Sequence, residues 1–413
     1  MRILIAHSRL LVMSGDNRVV QDEAELLRQA GHDARTWTPS AEGAHGAELA
    51  AVAARAVWSR HAAREVRRRI RDQGTQVVHV HNLYPNLSPT VIRAAAAEGV
   101  PLVMTLHNYR LASCLPASLL RDGRVCEDCL GRVPWRGVVH RCYRESVLGS
   151  AVMATSLTLH RAVRSYGGVA RFLAVSSFVK AKHVEAGLPA ERITVKPNFA
   201  WDAEPRNAFG DSFVYVGRLH AEKGVDTLTQ AWRTAPGTLV VAGEGPEAGR
   251  LRSRAPQTVE FTGYVPAPDV DRLLRGARAA LVPSRWYEAA PRVILEAFAR
   301  GVPVVASDIG ALPELVKDGV NGLLVPADDP LAWAGAARRL QDDDLVRRLG
   351  EGARRTWAER FSPERGLEEL ESAYEGVVRS GDHRPADVRQ AESARSAYSA
   401  SARRRSGLAA ADR

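Results

Sequence analysis

Nowhere in this 413-residue chain do apolar residues run unbroken for the ~18 positions that a membrane-spanning helix needs. The opening MRILIAHSRLLVMSG is interrupted by His7, Ser8 and Arg9 and offers no small-residue cleavage site. It therefore reads as a first strand and loop, not as a secretory leader. With both features missing, the cytoplasm is the expected compartment. Recognition elements for nucleic acid are absent too: no helix-turn-helix, zinc-finger or aromatic-basic strand signature accompanies the net charge of +10. No nucleic-acid partner is expected. Cysteine is scarce, four in all, and none lies outside residues 114–142. Large apolar residues all but vanish from residue 381 onward, where Ala, Ser and Arg dominate; such a stretch cannot bury enough surface to fold, and 381–413 is expected to be a disordered tail.

The charge that is present is unevenly spread. Residues 1–200 hold 27 Lys+Arg against 16 Asp+Glu, and the remainder holds 30 against 31. The first half thus favours anionic partners, a membrane surface or a phosphorylated substrate. A hydrophobic content of 45% with 25% charged residues is that of a globular protein, and the length suits two domains.

Short β-branched runs alternate with helical patterns, which predicts an α/β protein with parallel sheets. RILIAHS (2–8), VVHVHN (77–82), PLVMTLHN (101–108) and RFLAVSS (171–177) read as strands of a first domain, several ending in His or Asn. Polar residues past the ends of such strands line the ligand crevice of open parallel sheets. A second series starts at SFVYVGR (212–218) and continues through TLVVAGEGP, TVEFTGY, AALVPS, PVVASD and GLLVP. The expected division is a first domain over 1–196, a Pro/Asn/Asp-rich linker over 197–211, and a second domain over 212–380.

The second series carries the chemistry. In AALVPSRWYEAAPRVILEAFARG a strand leads to a helix start at Pro291, with Ala289 and Ala290 leaving the approach open. A helix start of this kind offers unpaired amides to an anion. Glu288 before it and Glu296 inside it suit hydroxyl groups better than phosphate; an ordinary solvated helix is the plainer alternative. In YVGRLHAEKG, Arg218 and Lys223 flank a strand-to-helix turn where two cations can clamp a diphosphate, or simply decorate an exposed turn. Gly243 and Gly245 in AGEGP allow close backbone approach by a ligand, or serve a tight turn.

In order and spacing, GRLHAEKG, AGEGP, FTGYVP and YEAAPRVILEAFARGVPVVASDIGALPELVKDGVNGLLV resemble the nucleotide-sugar-binding half of the retaining GT-B glycosyltransferases of family four, with their E-x7-E element. The resemblance implies a GT-B fold, two Rossmann-like doubly wound domains facing a central cleft. It implies that Arg218 and Lys223 stabilise the departing diphosphate, which requires no catalytic metal; that Glu288 contacts the transferred sugar and Glu296 the ribose; that the Ala289–Pro291 amides help hold the diphosphate; and that Gly243 and Gly245 border the base. Many relatives carry Gly-Phe where this chain has Ala289-Ala290, which alters the sugar pocket. In the first domain, Ser14-Gly15 resembles the family's glycine loop, placing Gly15 against the diphosphate. MTLHNYR resembles its strand-end histidine motif, making His107 the acceptor-side or catalytic candidate. His79 reads as structural, and His81 as able to reach the cleft.

The cysteines follow C-x11-C-x2-C-x12-C, Cys114, Cys126, Cys129 and Cys142, inside an insertion over 110–148. A structural zinc site is one reading, free or redox-active thiols another, and disulfides a third, disfavoured in the cytoplasm. The stretch 51–74 reads as one helix with Trp58 and seven arginines, suited either to an anionic membrane or to a solvated outer face. The expected function is retaining transfer of a hexose from a nucleoside-diphosphate sugar to a glycan, lipid-linked or small-molecule hydroxyl, with front-face departure and attack. A nucleotide-sugar epimerase of the same shape and a non-catalytic nucleotide-sugar-binding protein are the alternatives.

Overall fold

A computed structural model of the chain describes residues 1–9, 15–40 and 47–380; Ser14 and the tail expected after 381 lie outside them. The first sheet is formed by β1 (Arg2–Ala6), β2 (Asp33–Trp37), β3 (Val77–Val80) and β4 (Leu102–Leu106). After a short antiparallel hairpin, β5 (Leu120–Arg121) and β6 (Arg124–Val125), it is completed by β7 (Arg171–Ala174) and β8 (Ile193–Val195). The second sheet is formed by β9 (Ser212–Val216), β10 (Thr238–Ala242), β11 (Val259–Gly263), β12 (Ala279–Val282), β13 (Val304–Ser307) and β14 (Gly322–Val325). Both sheets are six-stranded, ordered β2-β1-β3-β4-β7-β8 and β11-β10-β9-β12-β13-β14, and every pairing within them is parallel.

The central strands β3, β4, β12 and β13 are buried at every residue. Helices cover both faces of such a sheet, so its strands read as continuous apolar runs, and this is why the sequence displays them. The edge strands were less legible: β2 is the polar, mostly exposed DARTW, and β8 is only three residues long. Strand order reverses between β1 and β3 in one sheet and between β9 and β12 in the other. A crevice opens past the strand ends at each reversal.

Two expectations need correction, the single helix over 51–74 and the extent of the second domain to 380. The 51–74 stretch is two helices, Ala47–Val57 and Arg60–Gln73, because Ser59 adopts an extended backbone and its Oγ accepts the Ala62 N–H, starting a new helix. The linker 197–211 has no helix or strand, yet it is pinned to the second domain, with the Trp357 indole donating to the Ala200 carbonyl at 3.0 Å. The last helix, Pro363–Ser380, leaves the second domain altogether. Its Leu370, Tyr374 and Val377 join Ile3, Ile5, Val20, Val77 and Val103 in the core of the first sheet. An apolar stripe records that a helix covers something; it does not record which sheet. Among the described residues no helix is long and apolar enough to cross a membrane.

Candidate active site

Both candidate cations lie past the end of β9. The Tyr215 hydroxyl donates to the Arg218 carbonyl at 2.7 Å and fixes that turn, while the Arg218 side chain stays 49% exposed with Glu222 at 3.8 Å. Lys223 closes a single 3-10 turn, and its Nζ lies 2.6 Å from Glu288 Oε1 and 5.1 Å from the Trp286 ring. Glu288 comes from the loop after β12. Its Oε1 also accepts the Ser284 hydroxyl at 2.6 Å and the Trp286 indole N–H at 3.0 Å. A buried carboxylate needs such donors. The β9–β12 reversal thus joins two residues that the sequence reading sent to different parts of the ligand.

Gly243 and Gly245 have a use within the protein. A Cβ on Gly243 would stand 1.8 Å from the Gly217 carbonyl oxygen, and one on Gly245 2.3 Å from that of Leu219. The turn after β10 therefore lies backbone to backbone on the Arg218 turn, with Gly217 N donating to Ala242 O at 3.0 Å and Leu219 N to Glu244 O at 2.8 Å. Pro291 stands one position before the helix Arg292–Ala299, and Glu296 in that helix accepts from Arg292 Nη2 at 3.0 Å. Ala289 and Ala290, with Tyr287, pack against the core of the first domain. Small side chains let this loop approach so closely.

Across the cleft the strand ends carry histidines. His79 is bonded through both ring nitrogens, to the Tyr374 hydroxyl at 2.7 Å and the Thr105 hydroxyl at 2.8 Å, and burial lowers its pKa to about 4. His81 Nδ1 lies 2.8 Å from His107 Nε2, and His81 Nε2 faces Glu23 Oε2 at 3.4 Å. Glu23 Oε1 takes the ammonium of Lys196, itself 1% exposed. A buried chain, Lys196–Glu23–His81–His107, so runs from the end of β8 to the crevice. Burial holds His81 and His107 below the ordinary histidine value. Burial would raise Glu23, but the Lys196 ammonium and its neighbours outweigh it, and the carboxyl sits below the usual range. The carboxylate beside His81 Nε2 favours the proton there, which makes His81 Nδ1 the acceptor and His107 Nε2 the donor.

Glu23, His79 and His81 are the one group, among the described residues, that brings three potential metal-ligating atoms within 4.8 Å of one another. Lys196 already balances the carboxylate, and both His79 nitrogens are bonded, so these residues fit an ion pair better than a metal ion. Gly15 opens the helix Gly15–Gln29 and faces the second domain, its missing Cβ 3.8 Å from Arg292 Cδ. Arg292 Nη1 pairs with Asp22 of that helix at 2.8 Å, and the Ser177 N–H donates to Glu314 at 2.8 Å, so both contacts tie the domains together.

Sequence reasoning missed Ser284, Trp286, Arg292, Glu23 and Lys196. Arg292 left a signal: a cation in the first turn opposes the helix dipole and needs another reason to be there. Lys196 and Glu23 left none, because burial of a charge is not written in a local pattern.

Two family models cover most of the chain. One, described as Glycosyltransferase Family 4, matches residues 13–200; the other, Glycosyl transferases group 1, matches residues 210–343. The chain belongs to the group 1 glycosyltransferases. Among its relatives is the alpha-D-kanosaminyltransferase of Streptomyces kanamyceticus, 28% identical over 333 residues, 75% of this chain and 80% of that one. A match at 38% identity to the exopolysaccharide phosphotransferase SCO2592 of Streptomyces coelicolor covers 40% of this chain but only 19% of that protein, so this likeness is partial. Anabaena Alr3699/HepE, solved in complex with UDP, superimposes with a TM-score of 0.61 at 19% identity, over 90% of this chain and 99% of that one. At such identity the likeness concerns the fold, which is GT-B.

The cysteine insertion of this glycosyltransferase family member contains only free thiols. Cys114 is buried, its Sγ receives the Leu119 N–H at 3.1 Å, and burial pushes its pKa up to about 12. Cys126, Cys129 and Cys142 are half-buried, and burial, followed by the neighbouring thiols, raises the pKa of Cys129 and Cys142. The four thiols do not converge as one ligand group among the described residues.

Proposed function

We propose that this chain is a retaining glycosyltransferase that moves a hexose from a nucleoside-diphosphate sugar to a hydroxyl of a glycan, lipid-linked or small-molecule acceptor. The observation that carries the reading is the cluster at the β9–β12 reversal, where Lys223, Ser284 and Trp286 converge on Glu288 beside the half-exposed Arg218. In this reading the arriving diphosphate meets the guanidinium of Arg218 and draws on Lys223, and the Ala289–Pro291 backbone adds amide donors. Charge grows on the diphosphate as the anomeric C–O bond breaks, and the two cations stabilise it there, so no divalent metal enters the step. Glu288 accepts from a sugar hydroxyl and Glu296 from the ribose. The reading invokes no covalent nucleophile. The acceptor oxygen bonds to the anomeric carbon on the face the diphosphate leaves, and its proton passes to the departing phosphate oxygen. His107, neutral at pH 7, contributes hydrogen bonding and shape rather than charge. A zinc ion on the cysteine insertion would be structural in this scheme, and elemental analysis of the purified chain reads it directly.

The donor is supported by the UDP complex of Alr3699/HepE and by the fold likeness to it. An anionic membrane surface met through the basic first domain would serve a lipid-linked acceptor. The first test is a thermal-shift screen against UDP, GDP, ADP and their common sugars. A clear shift with one nucleotide fixes the donor class. Binding without turnover on any acceptor would favour a non-catalytic binding protein, and epimerisation of the donor alone would replace transfer.

A further inference from the structure

Five of the thirteen large apolar side chains left exposed by the described fold fall within one short stretch: Val133, Trp135, Val139, Val147 and Leu148. Trp135 is 60% exposed, Val139 65% and Leu148 75%. Trp135 and Val139 begin and end a one-turn helix, Trp135–Val139, and so share a face. The opposite face is pressed onto the core, since a Cβ on Gly137 would stand 2.7 Å from Leu115 Cδ1. This turn packs against the helix Val147–Ala162, whose first two residues are Val147 and Leu148. Arginines are interleaved with these side chains. Arg132, Arg136, Arg141 and Arg144 are all exposed, against Glu145 as the only acid from 132 to 148. Arg136 has Asp128 at 3.7 Å and Arg144 lies over the Tyr143 ring at 5.4 Å; Arg132 and Arg141 have no acidic partner among the described residues.

The basic helix Arg60–Gln73 offers the contrast. Ala62, Val66 and Ile70 are already buried in the core, and Arg68, Arg69 and Arg71 are bonded to Glu65, Asp72 or Glu98. It keeps exposed charge at Arg60 and Arg64 but offers no exposed large apolar side chain of its own. The 132–148 stretch has both, the combination that seats a segment in the headgroup region of an anionic bilayer. It is also rooted beside the cleft. Glu127, in the same insertion, pairs with Lys182 at 2.7 Å, and the Lys182 ammonium lies 5.8 Å from the ring of Tyr287, next in sequence to Glu288.

We propose that residues 132–148 dock this protein on an anionic lipid surface, with Trp135, Val139 and Leu148 inserted among the headgroups and Arg132, Arg141 and Arg144 on the phosphates. The inference deepens the reading above, since a lipid-linked acceptor is what gives this contact a use. The test is co-sedimentation of the full chain with vesicles of phosphatidylcholine alone and of phosphatidylcholine with about a third phosphatidylglycerol, at low and high salt. Binding to the anionic vesicles alone, weakened by salt, is expected. Trp135→Ser with Leu148→Ser, and separately Arg141→Glu with Arg144→Glu, should each weaken it by about tenfold or more. Arg60→Glu with Arg64→Glu, on the outer helix, should bind like wild type. Failure of the wild type to sediment, or apolar variants that bind as tightly as it does, would overturn the proposal. So would a wild-type dimer in light scattering that the Trp135→Ser, Leu148→Ser variant converts to monomer, since the face would then belong to a second copy. The nucleotide screen is read on the same preparations without lipid, so a failed donor reading and a failed membrane reading are told apart.

Discussion

On one side of the cleft a cation, Arg218, is kept at the surface beside the part-buried Lys223–Glu288 pair, and on the other the charge is wholly buried and already matched. Past β9 and β12, Arg218 is half exposed with one distant acidic neighbour, and Lys223 shares Glu288 with two neutral donors. Across from them, Lys196 past β8 and Glu23 on the helix Gly15–Gln29 are sealed together, and the histidines past β3 and β4 are held neutral by burial. An arriving anion can only be met by a cation that is still accessible. A charge paired in the core is spent, and breaking such a pair costs more than forming it gains. Under the proposed function the two halves divide the labour, one meeting the donor's charge and the other fixing the geometry of uncharged rings.

The sharpest way to break that contrast is Lys196→Met, which strands the Glu23 carboxylate in the core. It should cost about 3–5 kcal/mol in denaturant unfolding, and Lys196→Met combined with Glu23→Gln should recover much of the loss. A cost below about 1 kcal/mol for the single variant would mean that water reaches Glu23. Arg218→Ala should behave in the opposite way. It should lower turnover about 100-fold and leave unfolding within roughly 0.5 kcal/mol of wild type. Lys223→Ala should match that loss of turnover but also destabilise, because Glu288 loses its cation; wild-type rates in both variants would sink the diphosphate role.

Acid should separate the halves next. His79 titrates near 4 in the fold and at roughly 6.5 unfolded. Between those values the unfolded chain binds the extra proton, so stability is complete above about pH 6.5 and is lost as pH falls towards 4, by at most roughly 3 kcal/mol. His81 and His107 act in the same direction. Unfolding measured from pH 7 to 4.5 should show this slope in wild type and in Arg218→Ala alike, and a flattened slope in His79→Gln. The smallest effect is expected from Arg292→Ala, which removes the pairing with Asp22 between the domains. It should raise the donor KM by about fivefold, near 1 kcal/mol, with kcat little changed.

Much of the architecture was legible. β3, β4, β9, β10, β12 and β13 stood out because buried parallel strands are short apolar runs closed by turn residues. Arg218, Lys223 and Glu288 stood out because they stand in the turns that follow those runs, and His107 through its resemblance to the family's strand-end histidine motif. β2 and β8 were faint, one polar and one three residues long, and both at sheet edges where only part of the surface is covered. The break at Ser59 was readable in principle, since serine is a preferred helix cap; seven arginines and a run of alanines around it masked the signal.

What the sequence determined by itself was local: which segments are strands, where they end, and which polar residues stand at those ends. Chain-local patterns carry this, because side-chain periodicity and turn chemistry act over a few residues. What only the tertiary structure decided was partnership. Lys223 meets Glu288 from 65 positions away, and Lys196 meets Glu23 from 173. The final helix buries its stripe in a sheet that began the chain, and Arg132 and Arg141 find no acid among the described residues where Arg68 and Arg71 do. Such pairings are set by which strand ends and helix faces the fold brings together, and no run of neighbouring residues records them.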